Sequence, residues 1–262
     1  MQTLEGLFAP LATPFTDDAS SVSEVRLARQ MRYLAEAPID GYVVNSDCGE
    51  FGTLTYSERK QMVELTARLS PGKPFLVHVS SLSTAISLDL TQHAARHGAR
   101  GVVVMSPFYG LYTTEELIGF FGAIARYGDL PTIIVDPLEA LNADVRAGFT
   151  DSPQVMFAKS LQEIRQTALS CYKGLTSSDE FAVGGAVCSP LALLRPEQVA
   201  AALAGTPQDF AKLIILEETL GRARVSKSGL DALNIEVGPP RPPLKQLSQS
   251  VSTALKTLLQ PG

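Results

Sequence analysis

Short apolar runs alternate with longer amphipathic stretches almost from one end of the chain to the other, and this alternation restricts the fold more than any other feature. The runs at 7–13, 41–45, 75–79, 101–105, 132–135, 155–158, 172–175 and 185–188 are rich in Val, Ile and Leu. Most lack the in-out pattern of a sheet with one wet face, so they predict strands buried on both sides. Between them, residues 23–36, 57–69, 83–97 and 114–126 carry a helical period. Several of these begin behind a Ser or Thr; Thr114 is a candidate cap, with Glu115 and Glu116 in the first turn. Gly98 predicts a helix C-terminus. Eight such β–α units predict an α/β fold, a (β/α)8 TIM barrel. At 262 residues and 45% hydrophobic content, the chain can bury a core of that size.

The units are uneven. Residues 136–153 are weakly periodic, and 177–184 is short for a full helix. The tail adds helical patterns at 208–222, 225–233 and 244–259, the last beyond the run Gly238-Pro239-Pro240-Arg241-Pro242-Pro243. That exceeds a barrel's last helix, so the reading is a barrel over 1–205 with a C-terminal helical segment, 206–262, packed on it. The net charge is only −5, and the densest basic patch, Arg222, Arg224 and Lys227, reads as a solvated helix face. No nucleic-acid partner is therefore expected. Three scattered cysteines, Cys48, Cys171 and Cys188, show neither zinc spacing nor a disulfide framework, which suits a reducing cytoplasm. The opening Met1-Gln2-Thr3-Leu4-Glu5 lacks a basic region and apolar core, and no apolar run reaches membrane-spanning length, so neither a signal peptide nor a membrane partner is expected.

The run Val155-Met156-Phe157-Ala158-Lys159-Ser160 ends in a lysine. On a barrel strand that ammonium sits at the C-terminal mouth, where barrel enzymes keep their chemistry. A desolvated lysine there loses its proton near neutral pH and attacks a carbonyl to form a Schiff base. The alternative is a strand-end lysine that snorkels to solvent.

Further segments carry a likeness: Ala9-Pro10-Leu11-Ala12-Thr13-Pro14-Phe15; Asp40-Gly41-Tyr42-Val43-Val44-Asn45-Ser46-Asp47-Cys48-Gly49-Glu50 with Leu54-Thr55 and Glu58-Arg59; Ser106-Pro107-Phe108-Tyr109; and Val237-Gly238-Pro239-Pro240-Arg241-Pro242-Pro243-Leu244. In collinear order over nearly the whole chain, they resemble the dihydrodipicolinate synthase and N-acetylneuraminate lyase family of class I aldolases. The resemblance makes Lys159 the Schiff-base lysine. It makes Tyr109 a proton relay, matching the second tyrosine of a Pro-Tyr-Tyr turn that reaches a neighbouring active site in family dimers. It also implies a homodimer or homotetramer.

The departures are as informative. Two carboxylate-binding threonines of the family are replaced by Asp47 and Cys48. A carboxylate beside a substrate carboxylate at ~4 Å is repulsive by ~1 kcal/mol in water and several at lower dielectric. Cys48 offers a weak donor or a structural thiol. Ser46 is a candidate carboxylate donor, and Val187 joins the substrate-binding set. The family's strand-five Tyr-Asn-x-Pro reads Ile134-Val135-Asp136-Pro137 here, so a valine stands where the proton-shuttling tyrosine belongs. Asp136 is either a substitute acid/base or a loop-starting aspartate. Glu50 reads as a loop brace and His78 as a satisfied core histidine. His93 and His97, at i and i+4, read as a solvated helix face, so no metal and no cofactor are expected. The resulting function is a lyase that breaks or forms a C–C bond, or expels water, on a 2-oxo acid such as pyruvate or a 2-keto-3-deoxy sugar acid. The alternative is a catalytically silent barrel that binds a metabolite or a partner.

Overall fold

The computed structural model describes residues 4–70, 72–136, 141–158, 181–183, 185–188 and 190–260. Its strands are β1 (Glu5–Pro10), β2 (Gly41–Val44), β3 (Phe75–His78), β4 (Gly101–Met105), β5 (Thr132–Val135), β6 (Val155–Phe157), β7 (Phe181–Val183) and β8 (Gly185–Cys188). They form one eight-stranded sheet in the order β6-β5-β4-β3-β2-β1-β8-β7. Neighbours from β6 round to β8 are parallel, as in β1–β2, where Phe8 faces Gly41, and β4–β5, where Val103 faces Ile133. The fold is an α/β barrel. The expected strand at 172–175 lies outside the described residues. Part of the stretch expected to connect onward from it, Phe181–Val183, is itself a strand antiparallel to β8.

The helices are α1 (Glu24–Glu36), α2 (Tyr56–Leu69), α3 (Thr84–Arg96), α4 (Thr114–Gly128), α5 (Ala143–Ala147), α6 (Leu191–Leu194), α7 (Pro196–Leu203), α8 (Ala211–Leu220), α9 (Arg222–Ala232) and α10 (Gln249–Leu259). Both α2 and α4 begin with reciprocal capping boxes, Thr55 with Glu58 and Thr113 with Glu116. The α4 cap is thus Thr113, one residue before the expected Thr114. Thr113 keeps extended backbone angles and its hydroxyl accepts from Glu116 N, which leaves Thr114 as the first helical residue. Each box satisfies two otherwise orphaned donors. The weakly periodic stretch holds the short α5, started by Asn142, whose side chain accepts from Val145 N at 2.9 Å.

Two apolar layers follow from strands buried on both faces. Inside the barrel, Phe8, Val43, Leu76, Val103 and Ile133 pack together, with Met105, Val135 and Ala158 toward the C-terminal strand ends. Alternate residues such as Leu7, Ala9, Tyr42, Val44, Val102, Val104 and Ile134 pack outward with Leu27 and Leu34 of α1 and Phe121 and Ile124 of α4. Each such side chain contributes roughly 1.5–3 kcal/mol on burial. Gly41 is required for close approach: a Cβ there would lie 2.4 Å from the Phe8 ring and 2.6 Å from the Pro74 carbonyl.

The segment beyond 206 does more than pack on the outside. α8 lies against α9, and α9 against both α10 and α6. Val237 O accepts from Phe15 N at 3.0 Å. Gly238, at φ +78°, could carry no side chain because a Cβ would meet Phe15 O at 2.3 Å. No helix among the described residues is long and apolar enough to cross a membrane.

Candidate active site

The loop after β2 turns sharply and is held from three directions. Two non-glycine residues bracket it in the left-handed region, Asn45 at φ 61° and Glu50 at φ 57°. Such residues cost roughly 1–2 kcal/mol each and persist only when surrounding contacts impose them. Asn45 Nδ2 donates to Arg59 O at 2.9 Å, and Thr13 Oγ1 donates to Gly49 O at 2.6 Å. Glu50 reaches the C-terminal segment: Oε1 pairs with Lys227 Nζ at 2.6 Å and Oε2 accepts from Arg241 N at 2.8 Å. Lys227 also donates to Pro239 O at 2.9 Å. The Phe15 ring is flanked by Lys227 and by the Arg241 guanidinium, each 4.1 Å from its centroid. Glu50 therefore braces this loop.

Lys227 corrects the reading of its patch as a solvated face. Its side chain is 2% exposed, while Arg222 and Arg224 are half-buried. Burial pushes its ammonium pKa down to about 8, although Glu50 pulls the other way.

Arg241 closes the same clasp with two 2.7 Å bonds to Glu58. Those bonds, with the Thr55 backbone and hydroxyl, lower the Glu58 pKa from 4.5 to about 2. A depressed carboxylate stabilises the fold fully above its unfolded pKa, and the contribution disappears as pH falls through the folded one. Acid unfolding should therefore draw on this group as pH falls from 4.5 to about 2, by less than the full shift implies because solvent screens the pair. Urea midpoints of Glu58→Gln should fall less steeply across that window than those of wild type, since one of the depressed carboxylates is gone.

A second polar layer lies at the ends of β3 and β4. His78 is fully buried, its imidazole edge-on to Phe51 at 4.9 Å and its Nε2 3.1 Å from Ser80 Oγ. Ser80 Oγ accepts from Met105 N at 2.9 Å. Burial first, and the Arg59 cation second, drive the His78 pKa down to about 3, so the ring is neutral at ordinary pH. Arg59 donates to His78 O at 2.7 Å and Ser80 O at 2.9 Å. It is 6% exposed, and its pKa is lowered to about 10 by burial alone, so it stays charged. No carboxylate among the described residues forms a salt bridge with it. The guanidinium also lies over the Phe51 ring, 5.6 Å from its centroid, and a buried cation held by carbonyls and a ring face without a carboxylate favours an arriving anion. Sequence reading quoted Arg59 within the Glu58-Arg59 segment but gave it no role; the signal was the Thr55–Glu58 capping box, which fixes where the first turn of α2 aims its next residue.

The expected site residues fall into distinct places. Ser46 is buried, and its Oγ has no hydrogen-bond partner among the described residues. Asp47, next in the chain, is half-buried. Cys48 is fully buried and receives a 3.5 Å hydrogen bond from Ser226 of α9, so its thiol faces the C-terminal segment. Val135 is 2% exposed in the inner layer. Asp136 is half-buried and its Oδ2 accepts from Leu141 N at 3.0 Å, which closes its own loop. Tyr109 is 90% exposed, among Phe108, Leu111 and Tyr112, and does not join the β2 loop within one chain. Val187 pairs through its backbone with Leu7 of β1. Lys159 lies outside the described residues. The chain leading to it is clear: Ala158 N donates to Ile134 O at 2.9 Å, so the β5–β6 ladder runs to the C-terminal mouth. Met156 and Ala158 pack in the inner layer. Phe157 turns outward, against Phe149 at 5.9 Å and the Arg146 guanidinium at 5.0 Å.

A model of the dihydrodipicolinate synthetase family matches residues 3–145. Among curated proteins, the chain is 37% identical over 131 residues to an uncharacterized DapA-like lyase of Pyrococcus abyssi, and 35% identical over 131 residues to a 4-hydroxy-tetrahydrodipicolinate synthase of Rhizobium meliloti. Each alignment covers 50% of this chain and 44% of the relative, so the chain spans less than half the length of the relatives it matches. In fold, the likeness extends over nearly everything. A 4-hydroxy-tetrahydrodipicolinate synthase from Methylacidiphilum fumariolicum superposes with a TM-score of 0.81 at 21% identity, covering 98% of this chain and 97% of that one. An N-acetylneuraminate lyase from Fusobacterium nucleatum gives a TM-score of 0.77 at 19% identity, with 97% of each chain covered.

Proposed function

The chain belongs to the dihydrodipicolinate synthetase family, and from that premise we propose that it is a Schiff-base lyase acting on a 2-oxo acid through Lys159. The observation that carries the reading is the β5–β6 ladder, which delivers the chain to the C-terminal mouth at Ala158, one residue before the lysine. An imine at Lys159 acts as an electron sink, so a C–C bond beside it breaks to an enamine, or water is expelled. The Arg59 cation near the β2 and β3 ends, with the unpaired Ser46 hydroxyl, supplies what an anionic oxo-acid headgroup needs and offsets Asp47. The exposed Phe108, Tyr109, Leu111 and Tyr112 form an apolar patch suited to a second copy of the chain, in a homodimer or homotetramer.

Two observations favour the second reading, a barrel that binds a metabolite without turnover. Val135 puts a methyl group where a proton relay is needed. The alternation along β6 turns Met156 and Ala158 inward, so an inward Lys159 requires the strand to leave strict alternation at its end, as a bulge does. Paired assays separate the readings. Release of pyruvate from 4-hydroxy-2-oxo acids, or loss of water from 2-keto-3-deoxy sugar acids, is expected for the lyase, with binding followed by calorimetry. Saturable binding with no turnover in either class assigns the silent reading instead.

A further inference from the structure

The seam between α2 and α3, on the outside of the barrel, carries a ladder of polar side chains at four-residue spacing. Tyr56, Lys60 and Glu64 of α2 face Asp89 and His93 of α3 and His97, the residue that caps its C-terminus. At the N-terminal rung, Tyr56 Oη and Lys60 Nζ both meet the Asp89 carboxylate, the latter at 2.5 Å. Lys60 is thus engaged by Asp89, although its charge still reaches His93. At the C-terminal rung, Glu64, His93 and His97 each present one ligand atom, and these three atoms lie within 4.8 Å of one another. The seam holds no further positive side chain against this rung among the ion pairs of the described residues.

The donor set is arranged for a cation. His97 Nδ1 lies 2.9 Å from His93 O, and a carbonyl only accepts, so Nδ1 carries the proton and Nε2 keeps its lone pair. A ring nitrogen tied to a carbonyl is how metal-binding histidines have their tautomer fixed. His93 is 7% exposed, which corrects the expectation of a solvated face. Its Nε2 lies 3.2 Å from Glu64 Oε1 yet makes no aligned hydrogen bond. Two ligands about 2.0–2.1 Å from one metal, subtending roughly 100°, sit at that separation. The rings of His93 and His97 approach to 4.2 Å between centroids. The helix α3 ends here, and the carbonyls of its last turn favour positive charge. The sequence showed the i, i+4 histidine pair; the third ligand comes from a different helix.

We propose that Glu64, His93 and His97 form a binding site for a divalent borderline cation, best matched by Zn2+, which clamps α2 to α3 away from the barrel mouth. One imidazole pair and one carboxylate leave a tetrahedral position open to water. The Glu64 carboxylate, 52% exposed, gives the ion an entry path.

The test uses the whole chain, stripped with a chelator and titrated with Zn2+ by calorimetry, with the melting temperature recorded beside it. One Zn2+ per chain is expected, with Tm raised by roughly 5 °C at saturation. His97→Ala and Glu64→Gln should each weaken binding at least ~10-fold while leaving the metal-free melting curve near wild type. Glu24→Gln, which removes a carboxylate paired with Arg68 elsewhere on the outer surface, should bind as wild type does. No saturable binding, or binding that His97→Ala and Glu64→Gln keep at wild-type strength, would overturn the proposal.

Discussion

Lys227→Met is expected to destabilise the folded chain by about 3–5 kcal/mol, the cost typical of leaving one member of a buried ion pair alone. The pair is buried on both sides: the Lys227 side chain is 2% exposed and that of Glu50 is not exposed at all. Methionine keeps the volume and the contact with Phe15 but removes the charge, so the Glu50 carboxylate remains in the core with the Arg241 amide as its one hydrogen-bond donor among the described residues. That Lys227 is driven to about 8 despite an ammonium–carboxylate contact of 2.6 Å means desolvation outweighs the local attraction. The double variant Glu50→Gln with Lys227→Met should therefore recover most of the loss, because a neutral pair has no charge to strand. Urea unfolding at pH 7 reads this as a shift in midpoint without a change in slope. A single variant within 1 kcal/mol of wild type would mean that water reaches Glu50 and that the clasp is not a buried one.

Lys159→Ala should lower turnover by on the order of 10^4-fold or more, the scale seen when a covalent nucleophile is removed. Alanine forms no imine. Lys227, whose pKa is lowered by burial beside the β2 loop, is committed to Glu50 and to Pro239 O. Stability should change little, and affinity for a 2-oxo acid should fall only by the part of binding that the imine contributes. A variant that keeps its turnover would place the chemistry elsewhere in the barrel.

The order of strands and helices was legible because it rests on local signals: buried Val/Ile/Leu runs, Thr caps and the Gly98 turn. What was not legible depends on residues far apart in the chain. Lys227 looked like part of a basic patch because its partner, Glu50, lies on a loop after the second strand. Cys48 looked like a candidate substrate contact, and the hydroxyl that engages it belongs to Ser226. The metal-ligand set was incomplete in one helix and is completed by Glu64 from the preceding one. Phe181–Val183 pairs backwards with β8, which an apolar run alone cannot signal, since strand direction is not encoded in hydrophobicity. Conversely, the absence of a strand-five tyrosine was visible at once. The structure adds that Val135 is buried in the inner layer.

The central claim, a Schiff base at Lys159, is tested most directly by borohydride reduction in the presence of pyruvate and a panel of other 2-oxo acids, followed by peptide mass spectrometry. The peptide containing Lys159 should gain the mass of the reduced oxo-acid adduct, only when both reagents are present, and the Lys159→Ala protein should gain none. If that peptide stays unmodified across the panel while calorimetry shows the same acids bound, the imine mechanism is contradicted and the barrel is a binding protein.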